Sequence, residues 1–368
     1  MEFMQRFNGR RAASYGDFSG VAGISLATPD NDEEAIEDTF DREYELPLDQ
    51  WQALSTQARC PVVPPATWHW MPRRFVDGKK VGLTAAWMET PDGYPVPVWV
   101  GQVGATALRA VASGEPAALG ELSLEAEMRP VERVVCFEAG LFPWLDVESF
   151  AAVLQAQGFR LLIARRRGDV FPFDFETLQK MVNNRSQEEM FRLEQQAIRG
   201  RSKPYLPTIT DGRLADHQGA FPNDAPLYGV IKTHHRWDYL HEEGWRIFAR
   251  LKPLERTPAF LITSKNMRVL TWYVRLGSQS AGAPHEGIVR IEVHHAFFEK
   301  EIGKATGFQP GGFADQLSRA VAHYQTRDSS YGRAAVTLMP IQRAEDSLGA
   351  CFCPSERVVN EFYHLTRI

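Results

Sequence analysis

The sequence predicts an α/β fold, a mixed sheet flanked by helices and carrying insertions. Three observations carry that prediction. Short apolar runs with strand character recur along the chain and are interleaved with stretches of helical spacing. Composition is ordinary for a globular protein, 44% hydrophobic and 24% charged over 368 residues, which leaves ample apolar material for a large core. Finally, three carboxylates, Asp77, Glu194 and Asp211, fall in the order strand, helix, strand.

The elements follow in chain order. Residues 1–50 are rich in glycine and serine and contain an acidic run from Asp30 to Glu45. They predict a flexible tail or a loosely docked arm, with residues 1–55 as an N-terminal arm and 56–368 as the main domain. Residues 49–58 suit a short helix ended by Pro61, Pro64 and Pro65, before a Trp68-His69-Trp70 cluster. Phe75-Val76-Asp77 opens an extended run that continues through residues 81–87, with Asp77 closing its first part. Pro91-Asp92-Gly93 supplies a turn, and residues 96–100 return as a hairpin partner. Pro95 and Pro97 put the start of that returning strand at an edge or a bulge.

Residues 105–127 mix helix formers with glycine and proline and yield no assignment; an insert is expected around 105–175. Residues 131–137 read as a buried strand, 147–157 as a helix stopped by Gly158, and 159–164 as a strand. The segment from Asp174 to Arg199 is helical in two pieces: Asp174 caps the first, and Asn183-Asn184-Arg185 interrupts. Ser186 and Glu189 then form a capping box, and Gly200 closes the second piece. Beyond Asp211 the pattern predicts strands at 227–232, 260–263, 269–276 and 288–293. Helices are expected at 237–250, at 313–325 and, as the final one, at 340–348; residues 356–363 close the chain.

Charge and composition exclude several classes. A net charge of −5 argues against a protein that coats nucleic acid, so any such contact must use local basic patches. The candidates are Arg73-Arg74 with Lys79-Lys80, the run Arg165-Arg166-Arg167, and Arg199, Arg201 and Lys203, all of which also read as solvated surface charge. Cys60, Cys136, Cys351 and Cys353 form no Cys-x-x-Cys pair, which disfavours a zinc ribbon; Cys351 and Cys353, if on a strand, read as buried thiols rather than ligands. With no apolar signal region and no run approaching about 18 apolar residues, a soluble, reducing, cytoplasmic location without membrane contact is expected. His234-His235 and His294-His295 each offer at most one ligand to a site if extended, and structural or surface roles suit them better. No phosphate-binding loop and no Gly-x-Ser-x-Gly elbow is present, so ATP hydrolysis would belong to a partner.

The carboxylates carry the chemistry. Around Glu194, Met190, Phe191, Ala197 and Ile198 occupy the neighbouring helical positions, so Glu194 points inward with an apolar stripe. A buried carboxylate there needs a metal, an arginine or a capped element end. Asp77-Gly78 and Asp211-Gly212 each read singly as turns. Taken together, the order of Asp77, a hairpin, Glu194 and Asp211 is that of a ribonuclease-H-like sheet, and the oxygen ligands suit magnesium or manganese.

The residues resemble the NurA nuclease family, partners of the HerA-type hexameric translocase. Phe75-Val76-Asp77-Gly78 resembles its first Asp-Gly strand, Arg192-Leu193-Glu194 its catalytic helix, and Thr210-Asp211-Gly212-Arg213-Leu214 its second Asp-Gly motif. Gly229-Val230-Ile231-Lys232 resembles a strand with a lysine near the active centre, and segments beginning at Glu255, Trp272 and Gly287 resemble later family segments. The resemblance implies a Mn2+- or Mg2+-dependent DNA nuclease in end processing or anti-phage defence. It implies a homodimer working with a HerA-type DNA-pumping ATPase. Asp77, Glu194 and Asp211 would be the metal ligands, and Lys232 a fourth catalytic group. The chain departs from the family near its C-terminus: where many members carry a tyrosine and a histidine, Tyr331-Gly332-Arg333 is followed by Leu338-Met339-Pro340-Ile341 without a histidine. The departure motivates a second reading, a non-catalytic scaffold that docks on a hexameric ATPase; a small-molecule hydrolase using the same carboxylates is a third.

Overall fold

A computed structural model describes residues 2–12, 39–65, 67–111, 123–165, 174–199, 205–219, 221–233, 239–264, 267–277, 283–326 and 334–368. The strands are β1 (Arg10–Arg11), β2 (Thr39–Asp41), β3 (Leu54–Ser55), β4 (Arg74–Glu89), β5 (Pro95–Val111), β6 (Ser123–Met128) and β7 (Val131–Phe137). They continue with β8 (Phe159–Ile163), β9 (Thr208–Asp211), β10 (Leu227–Ile231), β11 (Glu255–Arg256), β12 (Phe260–Ser264), β13 (Met267–Arg275) and β14 (Ile288–His294). The helices are α1 (Glu2–Arg6), α2 (Thr56–Arg59), α3 (Trp144–Ala156), α4 (Phe175–Arg199) and α5 (His241–Arg250), then α6 (His295–Glu301), α7 (Lys304–Gly307), α8 (Phe313–His323), α9 (Met339–Gly349) and α10 (Ser355–Thr366).

The strands join in one large mixed sheet flanked by helices, in the order β2-β12-β13-β14-β10-β9-β4-β5-β7-β8. Within it, β7, β5 and β4 form an antiparallel meander, and β9 and β10 then add in parallel beside β4. One apolar face packs against α4, with Val76, Leu193 and Ala197 in the same cluster. On the other face, Phe75, Ile209 and Val230 pack with α6 and α8 residues such as Phe297 and Leu317, and with Ile341 of α9. A third cluster joins the far half of the hairpin to α3 and α10 through Val98, Phe150 and Phe362.

Several expectations change. Asp77 does not close an extended run: β4 passes unbroken through it, pairing Asp77 with Thr106 and Gly78 with Ala105 of β5. The unassigned 105–127 region is partly the continuation of β5 to Val111 and the returning β6. Residues 131–163 supply β7, α3 and β8 to the sheet and its cover. Pro95 and Pro97 lie where β5 has not yet met β7, whose pairing begins at Trp99, so their missing N–H groups cost no ladder bond there.

Helix α4 is one piece. Ser186 is not an N-cap; its hydroxyl donates back to the Asn183 carbonyl at 2.7 Å. Lys80 Nζ donates to both the Asn183 carbonyl and its side-chain oxygen, so the tertiary contact absorbs the polarity that would otherwise break the helix. Asp174 does cap it, accepting from the backbone N–H groups of Glu176 and Thr177. Gly200 lies outside the described residues. Cys351 and Cys353 sit in the turn between α9 and α10, not on a strand, and Cys353 donates its backbone N–H to Gln102. Near the N-terminus, α1 is packed: Phe3 stacks on Phe150 at 4.6 Å between ring centroids, and Phe3, Met4 and Phe7 are buried. No helix among the described residues is long and apolar enough to cross a membrane.

Candidate active site

Sheet register brings the two aspartates together. Strands β4 and β9 run parallel with Phe75 opposite Ile209 and Val76 opposite Thr210. One residue further along lie Asp77 and Asp211, neighbours on adjacent strands. Alternation puts Asp77 on the face of Phe75 and Asp211 on that of Ile209, and both of those residues belong to one core cluster. Lys232, just past β10, reaches back to donate from Nζ to Asp211 Oδ2 at 2.8 Å.

Pro207 does not disturb this arrangement. It precedes β9, and its carbonyl accepts from the backbone N–H groups of Arg73 and Arg74, so only its acceptor is asked for.

Glu194 comes from the opposite face of the sheet. Val76, Gly78 and Lys80 face α4, and a Cβ built on Gly78 would stand 2.0 Å from Glu194 Oε1. Glycine is required here because any side chain would occupy the space the carboxylate fills. Gly212 has a different reason: its φ of 109° is one that residues with a Cβ rarely adopt, and the bend turns the chain beneath α4 after Asp211. That bend is pinned where the Leu214 backbone N–H donates to Glu292 Oε2 at 2.9 Å.

The electrostatics are those of crowded like charges. Burial, followed by the Asp211 carboxylate, pushes Asp77 up to about 8, and Glu345 of α9 adds to the rise; Lys232 and the Gly78 N–H work against it. Burial also raises Glu194 well above the usual carboxylate range, with Asp77, Asp211 and Asp216 contributing. Burial lowers His217 to about 4. The His217–Glu194 contact, 3.6 Å between Nε2 and Oε2, thus joins an imidazole whose cation burial disfavours to a carboxyl whose anion burial disfavours.

Among the described residues no group of three or more His, Cys, Asp or Glu side chains is arranged to hold a metal ion as it stands. The donor set nonetheless fits one in kind: three carboxylates with hard oxygen donors, of which Asp77 and Glu194 are disfavoured as anions by burial, with Glu194 Oε2 buried and lacking a hydrogen-bond partner.

Asp77, Asp211 and Lys232 thus lie on one face, and Glu194, on the other, stands at Gly78, near enough to Asp77 and Asp211 for their charges to raise it. Sequence reasoning missed His217 and Glu345, and named Lys79 only in a basic patch and Thr210 only within the second Asp-Gly motif. Lys79 shares Asp77's face and lies 3.8 Å from Glu345. Position 79, two residues from Asp77, signalled this, but nothing in the sequence announced where α9 would pack. The basic patches are largely committed elsewhere. Arg74 is buried, donating to the Ala197 and Ile198 carbonyls at the end of α4 and to Glu127. Lys80 is held by Asn183. Arg166, Arg167, Arg201, Lys203, His234, His235 and residues 331–333 lie outside the described residues. His294 ends β14, and His295 begins α6 beside the Tyr44 hydroxyl at 3.1 Å.

No protein-family model matches the chain, and no curated protein matches it.

Proposed function

We propose that this chain is a metal-dependent deoxyribonuclease with a ribonuclease-H-like core, hydrolysing phosphodiester bonds with Asp77, Glu194 and Asp211 as ligands to Mn2+ or Mg2+. One observation carries the reading. Two aspartates stand side by side on parallel strands, and a glutamate is admitted through the gap left by Gly78. Such a cluster of acids is costly by itself and is relieved by a bound cation. The strand order β7-β5-β4-β9-β10, an antiparallel meander followed by two parallel strands, supports the ribonuclease-H-like assignment.

When bound, divalent ions supply an activated water and stabilisation of the leaving oxygen. The chain's own groups do the rest. Lys232 holds Asp211 in place and offers a positive charge beside the scissile phosphate. Gly78 keeps the path of Glu194 open. The resemblance to NurA nucleases supports DNA as substrate, a homodimer, a cytoplasmic location, and work with a HerA-type translocase in end processing or anti-phage defence.

The test is cleavage of linear DNA with Mn2+, with and without chelator, by the wild type and Asp77→Ala. The variant is expected to lose at least about 100-fold in rate; equal activity removes Asp77 from the mechanism. The scaffold reading finds support in the absence, among the described residues, of a preformed three-donor group. Calorimetric titration with Mn2+ separates the two, since a scaffold shows no carboxylate-dependent binding.

A further inference from the structure

We propose that His217 is a positioning residue for Glu194: its Nε2–H stands behind Oε2 of the carboxylate, placed to hold it when the site closes so that Oε1 stays at the gap beside Asp77. The inference rests on the nuclease reading above. The two oxygens of Glu194 have different surroundings. Oε1 is the atom that stands in front of Gly78, where a Cβ would lie 2.0 Å away. Oε2 faces His217 Nε2 at 3.6 Å and has no hydrogen-bond partner.

The imidazole is itself held. Its side chain is 1% exposed, and the Phe191 ring of α4 stands nearly perpendicular to it, with centroids 6.1 Å apart. Nε2 also lies 3.0 Å from Thr210 Oγ1, next to Asp211 in the chain. Nδ1 has no hydrogen-bond partner. A buried N–H without an acceptor is rarer and costlier than an unused acceptor, so the proton belongs on Nε2, where Thr210 and Glu194 compete for it.

At 3.6 Å the histidine does not yet bond Glu194. Oε2 is buried without a partner, and closing the gap to about 2.9 Å gives it a donor. The imidazole thereby links the strand of Asp211 to the helix of Glu194 and fixes which oxygen faces the aspartates. This is the role that partners of ligating carboxylates play in metal sites generally.

The experiment is calorimetric titration of chelator-stripped full-length protein with Mn2+, together with the melting temperature of each ion-free variant. His217→Leu is expected to bind Mn2+ about 10–100-fold more weakly. His217→Gln, which keeps a side-chain N–H, is expected to recover most of that loss. Thr210→Val, which removes the competing acceptor, is expected to bind at least as tightly as wild type. Mn2+ affinity indifferent to His217→Leu overturns the proposal, as does equal weakening in Leu and Gln, or a fall in Thr210→Val. If His217→Leu does not fold, the Gln and Thr210→Val affinities decide by the same criteria. A wild type whose Mn2+ binding is untouched by Glu194→Gln overturns the nuclease reading and this inference together. Binding that depends on Glu194 but not on His217 overturns only the inference.

Discussion

Asp77 and the two glycines beside the aspartates carry the most exposed predictions. In the ion-free protein, Asp77 titrates at about 8, above the roughly 3.9 of an unfolded aspartate. The folded state therefore holds this proton more tightly than the unfolded one. The stability it lends is full below about pH 4 and is lost as pH rises through about 8. In chelator, the melting temperature should fall from about pH 6.5 to about pH 8; below that window the buried His217 and His294, each lowered to about 4, lend stability that grows as pH rises and offsets the loss. Asp77→Asn should flatten that slope, and Mn2+ should raise the wild-type value most at the upper end. Lys80, which burial lowers to about 8, gains stability for the fold only above that pH, so it does not oppose the fall within the window. The glycines differ in kind. Gly78→Ala places a methyl against Glu194 and is expected to abolish Mn2+ binding, read by calorimetry, because the carboxylate must leave its path. Gly212→Ala meets no atom within 4 Å, yet forces an alanine to a φ of 109°. It should cost about 1–3 kcal/mol in denaturant unfolding through backbone strain.

Helix α4 shows how an element is held by its partners rather than by its own propensity. Its polar middle, Asn183 to Ser186, would end an isolated helix, but Lys80 satisfies Asn183 from β4. Its last carbonyls, which would lack donors, are met by Arg74, also from β4. The strand that carries Asp77 thus holds the helix that carries Glu194 at two points on either side of the gap at Gly78. Arg74→Met should cost about 2–3 kcal/mol, because it leaves carbonyls and Glu127 without a charged donor. Hydrogen exchange should rise first at the C-terminal turn of α4, near Ala197 and Ile198. Unchanged protection there would show that the cap contributes nothing.

In the whole molecule, one sheet runs from β2 at one edge to β8 at the other, and the candidate site lies at the β4–β9 junction, where the antiparallel meander meets the parallel strands. Even the first residues belong to the core. Phe3→Ala should destabilise the protein by about 3–5 kcal/mol in denaturant unfolding, since Phe3 packs against Phe137, Phe142 and Phe150. A loosely docked arm would tolerate the change. Much of the sheet was legible from the chain because apolar runs such as 131–137 and 288–293 must be buried wherever they lie. The inward face of Glu194 was legible for the same reason: helical spacing is local. The continuity of β4 through Asp77, the single span of α4 and the fate of Arg74 were not, since each depends on a partner distant in sequence. By itself, then, the sequence determined the mixed α/β class, the inward-pointing glutamate and the order of the three carboxylates. Tertiary structure decided that Asp77 and Asp211 are neighbours, that Glu194 fills the space at Gly78 beside them, and that His217 stands behind it. Spacing along a chain sets which face a side chain takes, whereas only strand register and packing set what it meets there.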